Sequence, residues 1–493
     1  MLEKAQEATV RNLPDVPIKQ FIGGDWRVGG GAERPVTSPT DGRLLAVVSD
    51  ADAEDLTSAV TSAAEAQRAW RMVGPGGRAN ALRQAAQRLR EHADELALID
   101  ALDSGNPING MHFDVMLGAT LIDFFAGIAT EAKGETIPQR DGRLTYVTRE
   151  PLGVVARLVA FNHPLLFAAA KMAAPLAAGN AVIIKPSEET PLSALRMVEI
   201  VGDIFPKGVL SVLTGGADLG AAICENPGIA AVSLIGSIPT GKAILKGGAD
   251  TLKRTQLELG GKNALVICGD ADVDGAIAGA VKGMNLGWTA GQSCGSTSRV
   301  LVHESLYDRV VDGIAEAFTK VHLGDPTDTK TKMGCLSTRR QYQKVLEYIE
   351  LAKSEGAEIA AGGEPSGVPK EGFFVRPTLV ANVTKEMRIA REEVFGPVLS
   401  VLKWKEEPEM LDIVNGLDVG LTASVWTRDL DTAMRLTDQI QAGYVWVNDS
   451  SDHYLGAPFG GFKSSGHGRE ECLEELLAYT EQKTVTIVPT GKS

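Results

Sequence analysis

The stretch from Gly153 to Lys185, GVVARLVAFNHPLLFAAAKMAAPLAAGNAVIIK, reads as strand, helix, strand. GVVARLVA and NAVIIK are short, almost continuous apolar runs, the signature of strands buried on both faces of a parallel sheet. Between them, LLFAAAKMAAPLAAG is rich in alanine and leucine but interrupted by Lys171 and Pro175. It is too short to span about 30 Å of hydrocarbon and reads as a buried helix.

The alternation continues outward. NAVIIK is followed by the helical LSALRMVEIVGDIF, GVLSVLTG by LGAAICEN, and IAAVSLIG by PTGKAIL, which predicts a doubly wound nucleotide-binding sheet. A second series starts near Gly261 with ALVI, a Gly/Ala-rich helix reaching Trp288, then SRVLVHE and a helix to Val321. It runs on through FVRPTLV and PVLSVLKW to GYVWVND, giving another α/β domain. Upstream, two long amphipathic helices are predicted over 52–70 and 78–102, preceded by strands and loops. RLTYVTRE, in the segment 130–150, and the C-terminal TVTIVP alternate like exposed strands that pair with another chain.

Composition narrows the function. With 493 residues, two or three domains are expected. The net charge of -14 excludes the basic face that nucleic acids or anionic membranes require. Five scattered cysteines without C-x-x-C spacing argue against a disulfide framework or zinc knuckle and for a reducing cytoplasm. The first twelve residues, MLEKAQEATVRN, show no export signal. The seven histidines have no H-x-x-x-H or H-E-x-x-H spacing, so no metal site is expected.

Several motifs carry chemistry, each with a plainer alternative. GSIPTGKA, Gly236 to Ala243, nearly spells a P-loop, but Ala243 stands where magnesium needs a hydroxyl. The alternatives are a structural turn, or a strand-to-helix turn whose Ser237 and backbone N–H groups face a pyrophosphate. Lys185 and Glu188 lie at a strand end where a doubly wound fold holds the adenosine ribose, although such charges also suit solvent. A carboxylate there accepts both ribose hydroxyls and repels a 2′-phosphate, favouring NAD over NADP. Glu258 in LELGGKN, set in an apolar strand end, is a general-base candidate or a salt-bridged glutamate. Asn162, at a strand tip, is an oxyanion donor or a turn residue. Cys294 in GQSCGSTSRV sits among glycines and hydroxyls, presented as a nucleophile would be.

In order and spacing, Asn162, Lys185 with Glu188, Gly236-Ser237, Glu258 with its Gly-Gly, GQSC, EEVFGPV from Glu392 to Val398, and PFGGFKSSG from Pro458 to Gly466 together resemble the aldehyde dehydrogenase superfamily. The resemblance runs along essentially the whole chain. It implies an α/β fold with a Rossmann-like cofactor domain (1–129 and 151–260), an α/β catalytic domain (261–447) and a small β oligomerisation element (130–150 and 470–493). It also implies oxidation of a small-molecule aldehyde to the acid with NAD, through a cysteine thiohemiacetal and thioester, in a homodimer or homotetramer.

Residue roles follow from the resemblance. Cys294 is the nucleophile, and Asn162 with the Cys294 backbone N–H forms the oxyanion hole. Glu258 activates the deacylating water, and Lys171 matches a lysine that the family keeps near the site. Lys185 and Glu188 hold the adenosine ribose, Gly236 and Ser237 the pyrophosphate, and Glu393 the nicotinamide ribose. Phe395 lies against that end of the cofactor, and Phe161 replaces the family's usual tryptophan. His163, Phe167, His453, Tyr454 and Phe459 are expected to line the substrate pocket. They favour an aromatic or medium-sized aldehyde bearing a polar group. Glu258 favours hydrolysis over a CoA-acylating semialdehyde dehydrogenase. A non-catalytic binding or structural protein on the same fold is the further alternative.

Overall fold

The computed structural model describes residues 19–140, 142–366 and 372–490. The N-terminal stretch read for an export signal lies outside them. Two parallel sheets organise the chain.

In the first sheet, five parallel strands run in the order Leu210–Val212, Ala181–Lys185, Val154–Leu158, Ala231–Gly236, Arg254–Leu259. Every residue of the two strands in the opening stretch is buried, which is why they read as unbroken apolar runs. The chain order reverses at Val154–Leu158, the switch point where doubly wound sheets bind ligands. Antiparallel strands Gln20–Ile22 and Asp25–Arg27 close one edge, and Gly466–His467 the other.

The second sheet orders Thr378–Val383, Val398–Trp404, Arg299–His303, Ala264–Ile267, Thr422–Trp426 and Tyr444–Val447 as parallel neighbours, with Glu358–Ala361 antiparallel at one edge. A third sheet stands apart. In it Leu144–Pro151 is sandwiched antiparallel between Glu135–Ile137 and Thr480–Ile487.

The structure corrects several expectations. The region 78–102 is two helices, Gly74–Glu91 and Ala93–Ser104, because His92 leaves helical geometry at φ -107°, ψ 18°. The helix expected to reach Trp288 ends at Gly283, and Asn285, with φ 52°, starts the separate turn Leu286–Thr289. Residues Glu470–Tyr479, grouped with the oligomerisation element, instead pack into the first body. Glu470 and Glu475 are buried there against Arg157, and the Asn180 amide donates to the Tyr479 carbonyl at 3.0 Å.

The stretch beginning at Leu165 forms the buried helix expected of it, Pro164–Ala178. A longer apolar helix, Ile108–Ile128, was not anticipated; it is long and apolar enough by composition to cross a membrane. Its inward face, including Met111, Val115, Ile122 and Phe125, packs in the same core as the first sheet's strands. Polar Asn109, His112, Asp114 and Asp123 break its apolar run in the sequence and hide it.

Candidate active site

Five distant motifs meet at the ends of the two sheets. The strand Arg254–Leu259 delivers Glu258 and then turns through Gly260 and Gly261 into the second sheet. Gly261 N–H donates to Glu393 Oε1 at 3.2 Å, which ties EEVFGPV to this crossover. The Cys294 loop packs on the same motif, since Gly291, at φ 76°, lies so near Gly396 that a Cβ would sit 2.5 Å from its carbonyl oxygen. Asn162 binds the loop from the first sheet: its Nδ2 donates to the Gln292 carbonyl at 2.9 Å. PFGGFKSSG closes the group, with Ser465 Oγ donating to the Gly260 carbonyl at 2.9 Å.

Two N–H groups lie at the Cys294 loop without an acceptor of their own among the described residues. Asn162 is buried and uses one amide hydrogen on the Gln292 carbonyl, and its second amide hydrogen has no partner among the described residues. The Cys294 backbone N–H donates to no partner among the described residues. Asn106 steadies Asn162 from behind by donating to its carbonyl at 2.9 Å.

The electrostatics are acidic. Burial pushes the half-buried Cys294 thiol up to about 12, and Glu258 and Glu393 add to the shift. Glu258 is buried, and neither carboxylate oxygen has a hydrogen-bond partner. Desolvation, then repulsion from Glu470, raises it well above the usual carboxylate range, while Lys171 and Arg469 pull the other way. Lys171 does not touch the sulfur. Its Nζ pairs with Glu470 at 2.7 Å inside a buried cluster that includes Arg157 and Glu475.

The expected cofactor residues line the switch point. Lys185 Nζ lies 3.6 Å from the half-exposed Glu188 carboxylate, at the end of the strand beside the crossover. Ser237 caps the helix Ile238–Gly248, accepting from Thr240 N–H at 3.3 Å and exposing a helix N-terminus that suits a pyrophosphate. Gly236 ends the strand directly before it. Phe395, at φ 60°, meets Phe161 edge-on with ring centroids 5.8 Å apart. The carboxylates of Glu188 and Glu393, the Lys185 ammonium and the helix N-terminus at Ser237 are a set of acceptors and donors whose chemistry fits NAD.

The pocket residues fall into two groups. His163 and Phe167 stand together, ring centroids 5.3 Å apart, on the entry to the helix Pro164–Ala178. His453 stacks on Phe459 at 4.4 Å and bonds Glu471 at 3.0 Å. The loop that carries them turns at Gly460 so close to Glu258 that a Cβ would sit 2.9 Å from its carboxylate. Tyr454 departs from expectation: it is 79% exposed, its backbone held by the Tyr444 hydroxyl and by Ala457 N–H while its side chain has no hydrogen bond among the described residues.

Three residues escaped the sequence reading. Asn263 Nδ2 holds the carbonyls of Cys294 at 2.6 Å and Ser296 at 2.9 Å, fixing the nucleophile's loop. Asp114 bonds His163 Nδ1 at 2.8 Å and accepts from Trp288 Nε1 at 2.6 Å. Trp288 packs edge-on against His163 at 4.7 Å. A polar residue after Gly-Gly-Lys could have flagged Asn263, and an aspartate inside an apolar helix could have flagged Asp114. Among the described residues no group of three His, Cys, Asp or Glu side chains could hold a metal ion, and all five cysteines are free.

Comparison with known proteins identifies the family. The aldehyde dehydrogenase family model matches residues 26–485. The chain is 46% identical over 477 residues to the aldehyde dehydrogenase tropH of Talaromyces stipitatus, covering 95% of this chain and 92% of that one. An NAD+ complex of a Bacillus cereus aldehyde dehydrogenase superimposes with a TM-score of 0.93 at 38% identity, covering 98% of each chain. The P. syringae indole-3-acetaldehyde dehydrogenase AldA, in complex with NAD+ and IAA, gives a TM-score of 0.95 at 35% identity over 99% of each. This chain belongs to the aldehyde dehydrogenase family and is an NAD-dependent aldehyde dehydrogenase.

Proposed function

We propose that Cys294, Asn162 and Glu258 carry the oxidation of an aromatic or medium-sized, polar-substituted aldehyde to its acid, with water and not CoA taking the acyl group. The observation that carries this reading is that Asn162, tied to the Cys294 loop, and the Cys294 N–H each keep a hydrogen without a partner among the described residues, next to a half-buried thiol whose proton affinity is raised by Glu258, a buried carboxylate with no partner of its own. The Cys294 sulfur adds to the aldehyde carbon after losing its proton, and the aldehyde oxygen becomes an oxyanion held by Asn162 Nδ2 and the Cys294 N–H. When bound, NAD would supply the hydride acceptor and a cationic ring that favours the thiolate. Lys185 and Glu188 would hold its adenosine end, Ser237 its pyrophosphate and Glu393 its nicotinamide ribose. Loss of hydride leaves an acyl thioester on Cys294. Glu258 then takes a proton from water, the hydroxide oxygen bonds the acyl carbon, and the C–S bond breaks to release the acid.

The third sheet supports an oligomer. Ile137, Leu144, Ile487 and Val488 are large, exposed and apolar on or beside its strands, and such a surface suits a second copy of the chain. Five free thiols are compatible with the reducing cytoplasm.

The Glu258→Gln variant separates the two half-reactions. With aldehyde and NAD it is expected to release about one NADH per active site and then stall, with the acyl adduct on Cys294 visible by intact mass. Normal turnover would remove Glu258 from the water step, and turnover that depends on added CoA would select the acylating alternative. Cys294→Ala is expected to abolish both phases.

A further inference from the structure

A row of rings leads from the surface towards the nucleophile. Phe113, 54% exposed, meets Trp288 edge-on with centroids 5.3 Å apart. Trp288 meets His163 at 4.7 Å, and His163 meets Phe167 at 5.3 Å. His163, third in the row, directly follows Asn162, the oxyanion donor proposed above, so the row passes beside the proposed site. Leu117, Leu121, Leu166 and Ala170 back this wall without offering a hydrogen bond.

Within this apolar wall one polar device is built. Asp114, from the middle of the apolar helix Ile108–Ile128, is fully buried and spends both oxygens on rings of the row. The indole N–H of Trp288 is consumed, so Trp288 offers only its face. Because His163 Nδ1 faces a carboxylate, we assign the ring's hydrogen to Nδ1, which leaves Nε2 as the acceptor. His163 is buried, yet Nε2 has no partner among the described residues and is not one of the polar atoms sealed from solvent. A buried carboxylate is costly to keep, and orienting one imidazole with a free outward nitrogen is what this one accomplishes.

Resting on the function proposed above, we propose that His163, oriented by Asp114, is a specificity residue that accepts a hydrogen bond from a hydroxyl on the substrate's ring, so that the preferred substrates are hydroxylated aromatic aldehydes. The flat rings of Trp288 and Phe167 match an aryl group, and Nε2 matches the hydroxyl. A methoxy group has nearly the same shape but no proton to give, so it leaves Nε2 unpaired. Sites built around such a bond discriminate strongly against analogues that lack it.

The test measures kcat/KM for 2-, 3- and 4-hydroxybenzaldehyde, their methoxy counterparts, benzaldehyde and hexanal. In the wild type, at least one hydroxy isomer is expected to exceed its methoxy counterpart by about tenfold or more. In His163→Phe that ratio is expected to fall to near one, and in His163→Gln, which restores an acceptor, to recover in part. Asp114→Asn is expected to lower the ratio mainly through KM, since Asp114 positions the imidazole and does not meet the substrate. Equal hydroxy and methoxy values in the wild type would overturn the inference whether or not the variants fold. So would a ratio that His163→Phe leaves unchanged. Hexanal preferred over every benzaldehyde would instead overturn the aromatic reading of the pocket. Benzaldehydes preferred without hydroxyl discrimination would sink this inference alone.

Discussion

Cys294 is surrounded by the wrong charges for a resting thiolate. Apart from burial, the charges that shift it are the carboxylates of Glu258, Glu393 and Glu470, all raising its proton affinity. A reactive thiol is ordinarily activated by dipoles or cations that stabilise its anion. In the cofactor-free protein the nearby charges act the other way, so the thiol is stored neutral. Thiolate should therefore increase tenfold per pH unit throughout the neutral range. Alkylation of the cofactor-free protein by iodoacetamide, followed by intact mass, is expected to accelerate in that proportion from pH 7 to pH 10. A plateau beginning near pH 7 would show that some cation has been overlooked. Asn263 is the complementary case, since its place after Gly-Gly-Lys marks a polar residue at a turn but not that it pins the carbonyls of Cys294 and Ser296. Asn263→Ala should lower kcat by about tenfold or more while NAD binding, read by quenching of intrinsic fluorescence, changes little.

At the scale of elements, what the sequence displayed depended on how completely each element is buried. Strands sealed on both faces, such as Val154–Leu158 and Ala181–Lys185, appear as apolar runs and were placed correctly. Ile108–Ile128 was missed because one aspartate belongs to the pocket and other polar residues to its outer face. The break at His92 was missed because a single residue leaving helical geometry does not disturb apolar spacing. The loops were legible only through their glycines. Gly291 is a position where glycine is required twice, by φ 76° and by the approach of Gly396. Gly291→Ala should cost about 1–3 kcal/mol of stability, seen as a lower thermal midpoint. It should cost proportionally more activity, because the displaced loop carries Cys294. A variant with a normal midpoint and normal kcat would show that the two loops are free to part.

At the scale of the whole molecule, the C-terminal segment joins the first sheet to the third. Gly466–His467 pairs with the strand that carries Glu258, Glu470 and Glu475 enter the core beneath it, and Thr480–Ile487 completes the third sheet. Chain order disclosed the two ends of this path but not its middle, because a glutamate-rich stretch looks solvated until its partners are known. Those partners are Arg157 on the switch-point strand and Lys171 on the following helix. Lys171 serves two purposes at once. It neutralises Glu470, and it lowers the proton affinity of Glu258 against burial and against Glu470 itself. Replacing it with methionine leaves the two buried glutamates with Arg157 alone, a loss of about 3–5 kcal/mol by analogy with other broken buried pairs. The catalytic consequence has a definite sign. Glu258 must be deprotonated to act on water, so activity climbs as pH rises through its raised value. Without the lysine that value rises further, and the acidic limb of the kcat profile should move to higher pH. A profile that keeps its position while the thermal midpoint drops would assign Lys171 to the core alone. A profile that moves alkaline, with NADH still formed in the first turnover, would place the segment's charge in control of the water step.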